Sequence, residues 1–97
     1  MATDSYELRN HISGLSKTPE MTKEDAGEVS IVYESDKCTA IWLEYAVNAE
    51  GEEVKRKIPI MPLAKTATSS KVIPAGATFK LIASIGRGGF LRASVIY

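Results

Sequence analysis

Alternation is the feature that most restricts this chain. From residue 28 onward, apolar side chains recur at every second position, the spacing of a strand with one buried face. The clearest run is residues 39–47. It sets Ile41, Leu43, Tyr45 and Val47 on one face and Ala40, Trp42, Glu44 and Ala46 on the other. Residues 48–53 form a hairpin loop, with Gly51 supplying positive φ, and residues 54–60 return. Pairing Val47 with Val54 places Tyr45 opposite Arg56, Leu43 opposite Ile58 and Ile41 opposite Ile60. On the reverse face it sets Glu44 against Lys57 and Trp42 against Pro59. Turn chemistry, apolar pattern and charge agree in this one register. Pro59 has no amide proton for a ladder, so the returning strand is an edge or ends there.

The same reading gives further strands over residues 29–33, 71–73, 78–85 and 90–97. Ser35-Asp36-Lys37, Pro74-Ala75-Gly76 and Gly86-Arg87-Gly88-Gly89 read as turns, and residues 65–70 as a polar connector. A hairpin through residues 86–89 sets Phe79 against Ile96 and Leu81 against Ser94 on one face. Ile82 then meets Ala93, and Lys80 meets Val95, on the other. Leu8, Ile12 and Leu15 are spaced by four and three. With Asp4 and Glu7 as a capping pair and Gly14 as a stop, they predict a short helix over residues 5–13. Residues 18–27 are a polar loop with one helical turn. Strands follow one another without intervening helices, which excludes alternating βαβ units. The expected fold is mainly β: a small antiparallel β-sandwich or partly open barrel of about six strands with a short N-terminal helix or arm. The chain is read as one domain, residues 1–27 forming the arm and 28–97 the β core.

Composition narrows the setting. With 44 % hydrophobic and 25 % charged residues, the chain is ordinary for a globular domain and unlike a disordered one. Its single cysteine, Cys38, allows no intrachain disulfide. Together with the absence of a signal-peptide pattern and of an ~18-residue apolar run, this suggests a cytoplasmic location, or export by a route that leaves no such signal.

Charge is distributed unevenly. Residues 1–53 hold all twelve acidic side chains and four basic ones, a formal −8. Residues 54–97 hold eight basic side chains and no acidic one, a formal +8. Either the two halves neutralise each other within one sheet, or a basic face takes an anionic partner, or the halves assemble head to tail.

No catalytic constellation emerges. His11 is the only histidine, no nucleophile-elbow pattern occurs, and two His and Cys residues are too few for a zinc site. The glycine-rich 86–89 segment lacks the Gly-Lys-Ser/Thr ending of a phosphate loop, although its amides offer a possible anion cradle. No catalytic, cofactor or metal site is expected. The function expected is non-catalytic binding through protein–protein contact and homo-oligomerisation, with Leu91, Val95, Tyr97 and Ile82 of the apolar final hairpin as interface residues. The alternative is an anionic-surface binder, taking lipid head groups or nucleic-acid phosphates on the basic half. Its candidate contacts are Lys80, Arg87, Arg92 and Arg56, with Tyr45 and Trp42 as aromatics that point to opposite faces.

Overall fold

The computed structural model describes residues 2–60 and 65–97. These residues form strands without a helix: β1 (Thr3–Arg9), β2 (Gly14–Lys17), β3 (Met21–Thr22), β4 (Gly27–Ala49), β5 (Glu52–Pro59), β6 (Thr66–Ile73) and β7 (Thr78–Ile96). They make one antiparallel sheet of order β1-β7-β4-β5, with β2 and β3 also on β7 and β6 also on β4. The sheet is not closed into a barrel.

β4 and β7 are each far longer than an ordinary strand of about six residues. They run side by side through two stretches, from Ser30↔Ile96 to Asp36↔Phe90 and from Cys38↔Ile85 to Ala46↔Thr78, with register shifts at Asp36, Cys38 and Ala40. At that irregularity both strands bend. The Phe79 and Tyr97 rings meet edge-on with centroids 5.1 Å apart, although Phe79 lies at the start of β7 and Tyr97 directly follows its last residue. A straight strand would hold them about 60 Å apart at ~3.3 Å per residue, and the longest dimension of the molecule is only 42 Å. The sheet therefore folds over on itself. One layer is β6, the first half of β4, the second half of β7, and β1. The other is β5, the second half of β4, the first half of β7, and β2 with β3.

The core occupies the space between the layers. In β4 it takes Val29, Ile31, Tyr33, Ile41 and Leu43; in β7 it takes Phe79, Leu81, Ala83, Ile85, Leu91, Ala93 and Val95. All are odd-numbered on both sides of the bend, so one face of the continuous sheet is inside throughout. Burial of each large side chain contributes roughly 2–3 kcal/mol.

Glycine makes the bend possible. Gly88 has φ +75° and Lys37, facing it on β4, has φ +57°. A Cβ on Gly89 would lie 2.5 Å from the Asp36 carbonyl oxygen and 2.8 Å from the Lys37 Cβ. Two strands can cross the corner in contact only if one of them lacks side chains there.

Several sequence expectations need correcting. Residues 35–37 and 86–89 are not hairpin turns but the bulged corner of two continuous strands, so β7 does not pair with itself. The expected helix over residues 5–13 is replaced by β1, which pairs with β7 from Thr3↔Ile96 to Arg9↔Phe90. A lone short helix is marginal, whereas a strand satisfies the exposed backbone groups of β7. Tyr6 and Leu8 then pack on the core, while Ile12 and Leu15 stay exposed. No helical turn occurs in residues 18–27, and residues 66–70 belong to β6 rather than to a connector.

The 48–53 hairpin has the expected register, Val47↔Val54 through Trp42↔Pro59, and turns through Glu50 and Gly51, both at positive φ. Its strand is an edge and ends at Pro59. Ile60 follows by donating its amide to the Ile41 carbonyl at 2.8 Å. The Pro74–Gly76 turn also stands, with Gly76 at φ +79°.

The two ends of the described chain are joined. The Ala2 and Tyr97 amides each donate to the other's carbonyl at 2.8 Å, and the Tyr97 hydroxyl donates to Asp4 Oδ2. That bond to a carboxylate, more than burial, pushes the Tyr97 phenol up to about 12. Folding therefore favours the protonated phenol. Its contribution is complete below the ordinary tyrosine value near ~10 and is lost as pH rises towards the folded value.

Two measurements check this account. Gly89→Ala should lower unfolding free energy by about 2 kcal/mol or more, read from the urea midpoint. Gly14→Ala, whose nearest new neighbour is the Asn10 amide nitrogen at 3.8 Å, should stay near wild type. Between pH 10 and about 12, wild type should lose stability more steeply than Tyr97→Phe; identical slopes would contradict the Tyr97–Asp4 bond.

Candidate functional site

The sheet's outward positions are even-numbered in β4 and β7, and they differ between the two layers. On the β6–β1 layer, hydroxyl pairs face out: Ser5 with Ser94 at 3.1 Å and Ser30 with Ser70 at 3.2 Å. Beside them the Arg92 guanidinium lies 3.2 Å from Glu34 Oε2 and 3.5 Å from Glu7 Oε2. Arg9 contacts the same Glu7, and Arg9 first and Arg92 second hold its carboxyl below the usual range. Arg9 and Arg92 each stand 5.1 Å from the Phe90 ring centroid. Arg92 is thus matched by carboxylates of its own chain.

The other layer is different. Its rungs run Pro59–Trp42–Ile82–Lys17, then Lys57–Glu44–Lys80, then Lys55–Ala46–Thr78–Thr22, with Ala40–Ser84–Leu15 nearer the corner. Period-two alternation makes this face: the β4 and β7 residues between these positions fill the core, so these side chains must point away from it. Four lysines, 17, 55, 57 and 80, thereby share a face with two carboxylates, Glu44 and, one rung beyond Lys55, Glu53 opposite Asn48. Adjacent strands lie ~4.8 Å apart and same-face positions ~6.6 Å apart, so the four spread over about 15 × 15 Å. Lys80 Nζ is 3.8 Å from Glu44 Oε1, with both side chains mostly covered. Among the described residues, no ion pair joins Lys17, Lys55 or Lys57 to a carboxylate. Lys57 Nζ stands 5.4 Å over the half-buried Trp42 ring, which contributes about 0.5–1 kcal/mol at such a site.

The structure therefore gathers three of the sequence candidates, Trp42, Lys80 and Ile82, and disperses the rest. Tyr45 faces the core side and packs against it, with Arg56 opposite on β5 and exposed. Arg87 sits exposed at the corner, where the Gly88 amide donates to the Asn10 carbonyl at 3.0 Å and is withdrawn from any anion cradle. Leu91 and Val95, expected at an interface, are 1 % and 0 % exposed inside the chain's own core. Tyr97 packs on Phe79. Their apolar character is spent between the layers, a consequence of the bend; Ile82, the fourth expected interface residue, faces outward between Trp42 and Lys17 and is 3 % exposed. Lys17, Lys55 and Lys57 were missed as a group because they come from β2 and β5. The Glu44–Lys57 pairing already signalled the second strand; nothing local signalled the first.

Other reactive groups stand apart. Cys38 is half-buried, its thiol donates to the Phe90 carbonyl at 3.3 Å, and burial pushes its pKa up, so it is not held as a thiolate. His11 is exposed in the β1–β2 loop. Among the described residues, no three His, Cys, Asp or Glu side chains cluster to hold a metal ion, and no helix is long and apolar enough to cross a membrane. A recess of about 870 Å³ opens beside the 22–28 loop, and its charged lining residues are Glu24, Asp25 and Glu28 with Lys23. Neither protein-family models nor curated proteins show a match to this chain, so its function is read from its own side chains.

The lysine face predicts a local positive potential at Trp42, the only tryptophan. Iodide should quench its fluorescence more than caesium does, and Lys17→Gln, Lys55→Gln and Lys57→Gln together should narrow that difference. Equal quenching by the two ions in the wild type would count against the face.

Proposed function

We propose that this chain is a non-catalytic binding module that engages an anionic partner through the Trp42 face. One observation carries the reading: four lysines share an open sheet face with a half-buried tryptophan and two glutamates, Glu44 and Glu53, and three of the lysines have no ion-pair partner among the described residues. Uncompensated cations on one face attract anions from a distance and raise association rates. Trp42 and Pro59 add an apolar patch on which a bound group can rest, with the cations around it. Self-association through this face is less favourable, because a two-fold contact sets like charges against one another.

Retention on a heparin column tests the proposal. Wild type should be retained and should elute as salt rises, since screening weakens contacts between exposed charges. The Lys17→Gln/Lys55→Gln/Lys57→Gln variant should elute at clearly lower salt. Arg92→Gln, whose cation is already matched by Glu34 and Glu7, should elute close to wild type. Equal retention of the triple variant and wild type would refute the assignment of the Trp42 face.

A further inference from the structure

The corner end of the molecule carries a second feature that the Trp42 face does not explain. Four large apolar side chains are exposed among the described residues, and two of them, Ile12 at 76 % and Leu15 at 61 %, lie three positions apart where β1 passes to β2. The β1–β2 loop has a built shape. The Asn10 Nδ2 donates to the Gly14 carbonyl at 3.0 Å, the Ser16 hydroxyl donates to Asn10 Oδ1, and the Gly88 amide anchors the Asn10 carbonyl to the corner of β7. An apolar pair held out at a tip costs hydration, and none of the described residues buries it.

Charge says what fits there. At the corner stand Arg87, Lys37 and, through the bond from the Ser35 amide to the Lys65 carbonyl, Lys65. Lys17 follows Leu15, and Asp36 is the opposing carboxylate; Arg9 and Arg92 nearby are matched by Glu7 and Glu34. The acidic residues collect at the other end. The halves of β4 and β7 run about 30 Å from the corner. At their far ends lie Glu24, Asp25 and Glu28 before and at the start of β4 and Glu50, Glu52 and Glu53 at the β4–β5 turn, against Lys23, Lys55 and Lys71. The molecule is thus positive at its apolar tip and negative at the opposite end. Such a dipole turns the tip towards a negative surface.

We infer that the corner end docks on an anionic phospholipid bilayer, with Ile12 and Leu15 entering the boundary between head groups and acyl chains and Lys37, Lys65 and Arg87 resting on the phosphates. An apolar tip within a ring of cations suits this interface, which offers hydrocarbon beneath negative charge. A soluble polyanion has no hydrocarbon to receive Ile12 and Leu15. The inference goes beyond the Trp42 face: Leu15 borders that face, but Ile12, Leu15, Lys37, Lys65 and Arg87 include neither its tryptophan nor its lysines.

Co-sedimentation with vesicles tests it, using phosphatidylcholine alone and phosphatidylcholine with about a third phosphatidylserine, the anionic lipid. Wild type should bind the phosphatidylserine vesicles and leave the neutral ones largely in the supernatant. Ile12→Ser/Leu15→Ser should reduce partitioning by about tenfold or more, from the lost apolar contact, and its heparin elution should not move. Lys37→Gln/Arg87→Gln should reduce it by roughly fivefold per charge. Circular dichroism checks that each variant keeps its strands. Absence of wild-type binding to phosphatidylserine vesicles would overturn the inference, as would equal binding by Ile12→Ser/Leu15→Ser. If the Lys17/Lys55/Lys57 variant alone loses the vesicles, the Trp42 face is the lipid contact and the tip assignment fails while the face survives.

Discussion

The contact of the β4 corner with the glycines of β7 is the constraint on which the rest depends. Asp36 and Lys37 pass so close to Gly89 that no Cβ fits between them. Because both strands bend there together, each supplies a strand to both layers. The layers are therefore joined by covalent backbone as well as by core packing. The strict alternation of β4 and β7 keeps its phase across the bend, so every core residue still points inward after the fold-over. The remaining strands pair with backbone groups that the two long strands leave open. β5 and β6 take the two halves of β4, and β1, β2 and β3 the halves of β7. Thr18 continues that outer rim between β2 and β3: its amide donates to the Leu81 carbonyl, and its hydroxyl oxygen accepts from the Leu81 amide.

Folding also sorts the charge. The opposite halves of the sequence interleave, and Arg92 with Glu34 and Glu7, and Lys80 with Glu44, neutralise part of the asymmetry. The exposed Arg92 pairs contribute little to stability. Their consequence is for surface character: they remove charge from the β6–β1 layer, whereas the Lys80–Glu44 pair leaves Lys17, Lys55 and Lys57 unpaired on the opposite face. Lys17 belongs to the acidic half of the sequence and yet joins the basic face, because β2 pairs with β7 at Ile82.

The 48–53 hairpin was legible in full because its determinants are local. A turn that accepts positive φ, alternation on both arms and one opposite-charge pair all specify the same register. Segments 35–37 and 86–89 contain equally good turn residues and were misread as turns. A glycine-rich stretch relaxes the backbone for a hairpin and for a strand corner alike, and the difference lies in the partner strand some fifty residues away. Leu8, Ile12 and Leu15 follow helical spacing, but Tyr6 and Leu8 also alternate. The open edge of β7 decides between the two readings by offering backbone partners. Of the candidate site, Trp42 and Glu44 with Lys57 were readable from the hairpin; the arrival of Lys17 and Lys80 on the same face was not.

The sequence by itself determined that the chain is built mainly from strands, where the β4–β5 hairpin turns, which side chains within residues 29–33 and within residues 39–47 share a face, and that positive and negative charge fall in different halves. Each of these depends on neighbours a few residues apart. The tertiary structure alone decided that β7 is one bent strand, that Leu91 and Val95 are core, that residues 3–9 extend along its edge, and that lysines from three strands meet around Trp42. Those outcomes arise from pairings between distant segments. Their free energy depends on which edges remain open and which faces are already filled, quantities that exist only once the sheet has folded over.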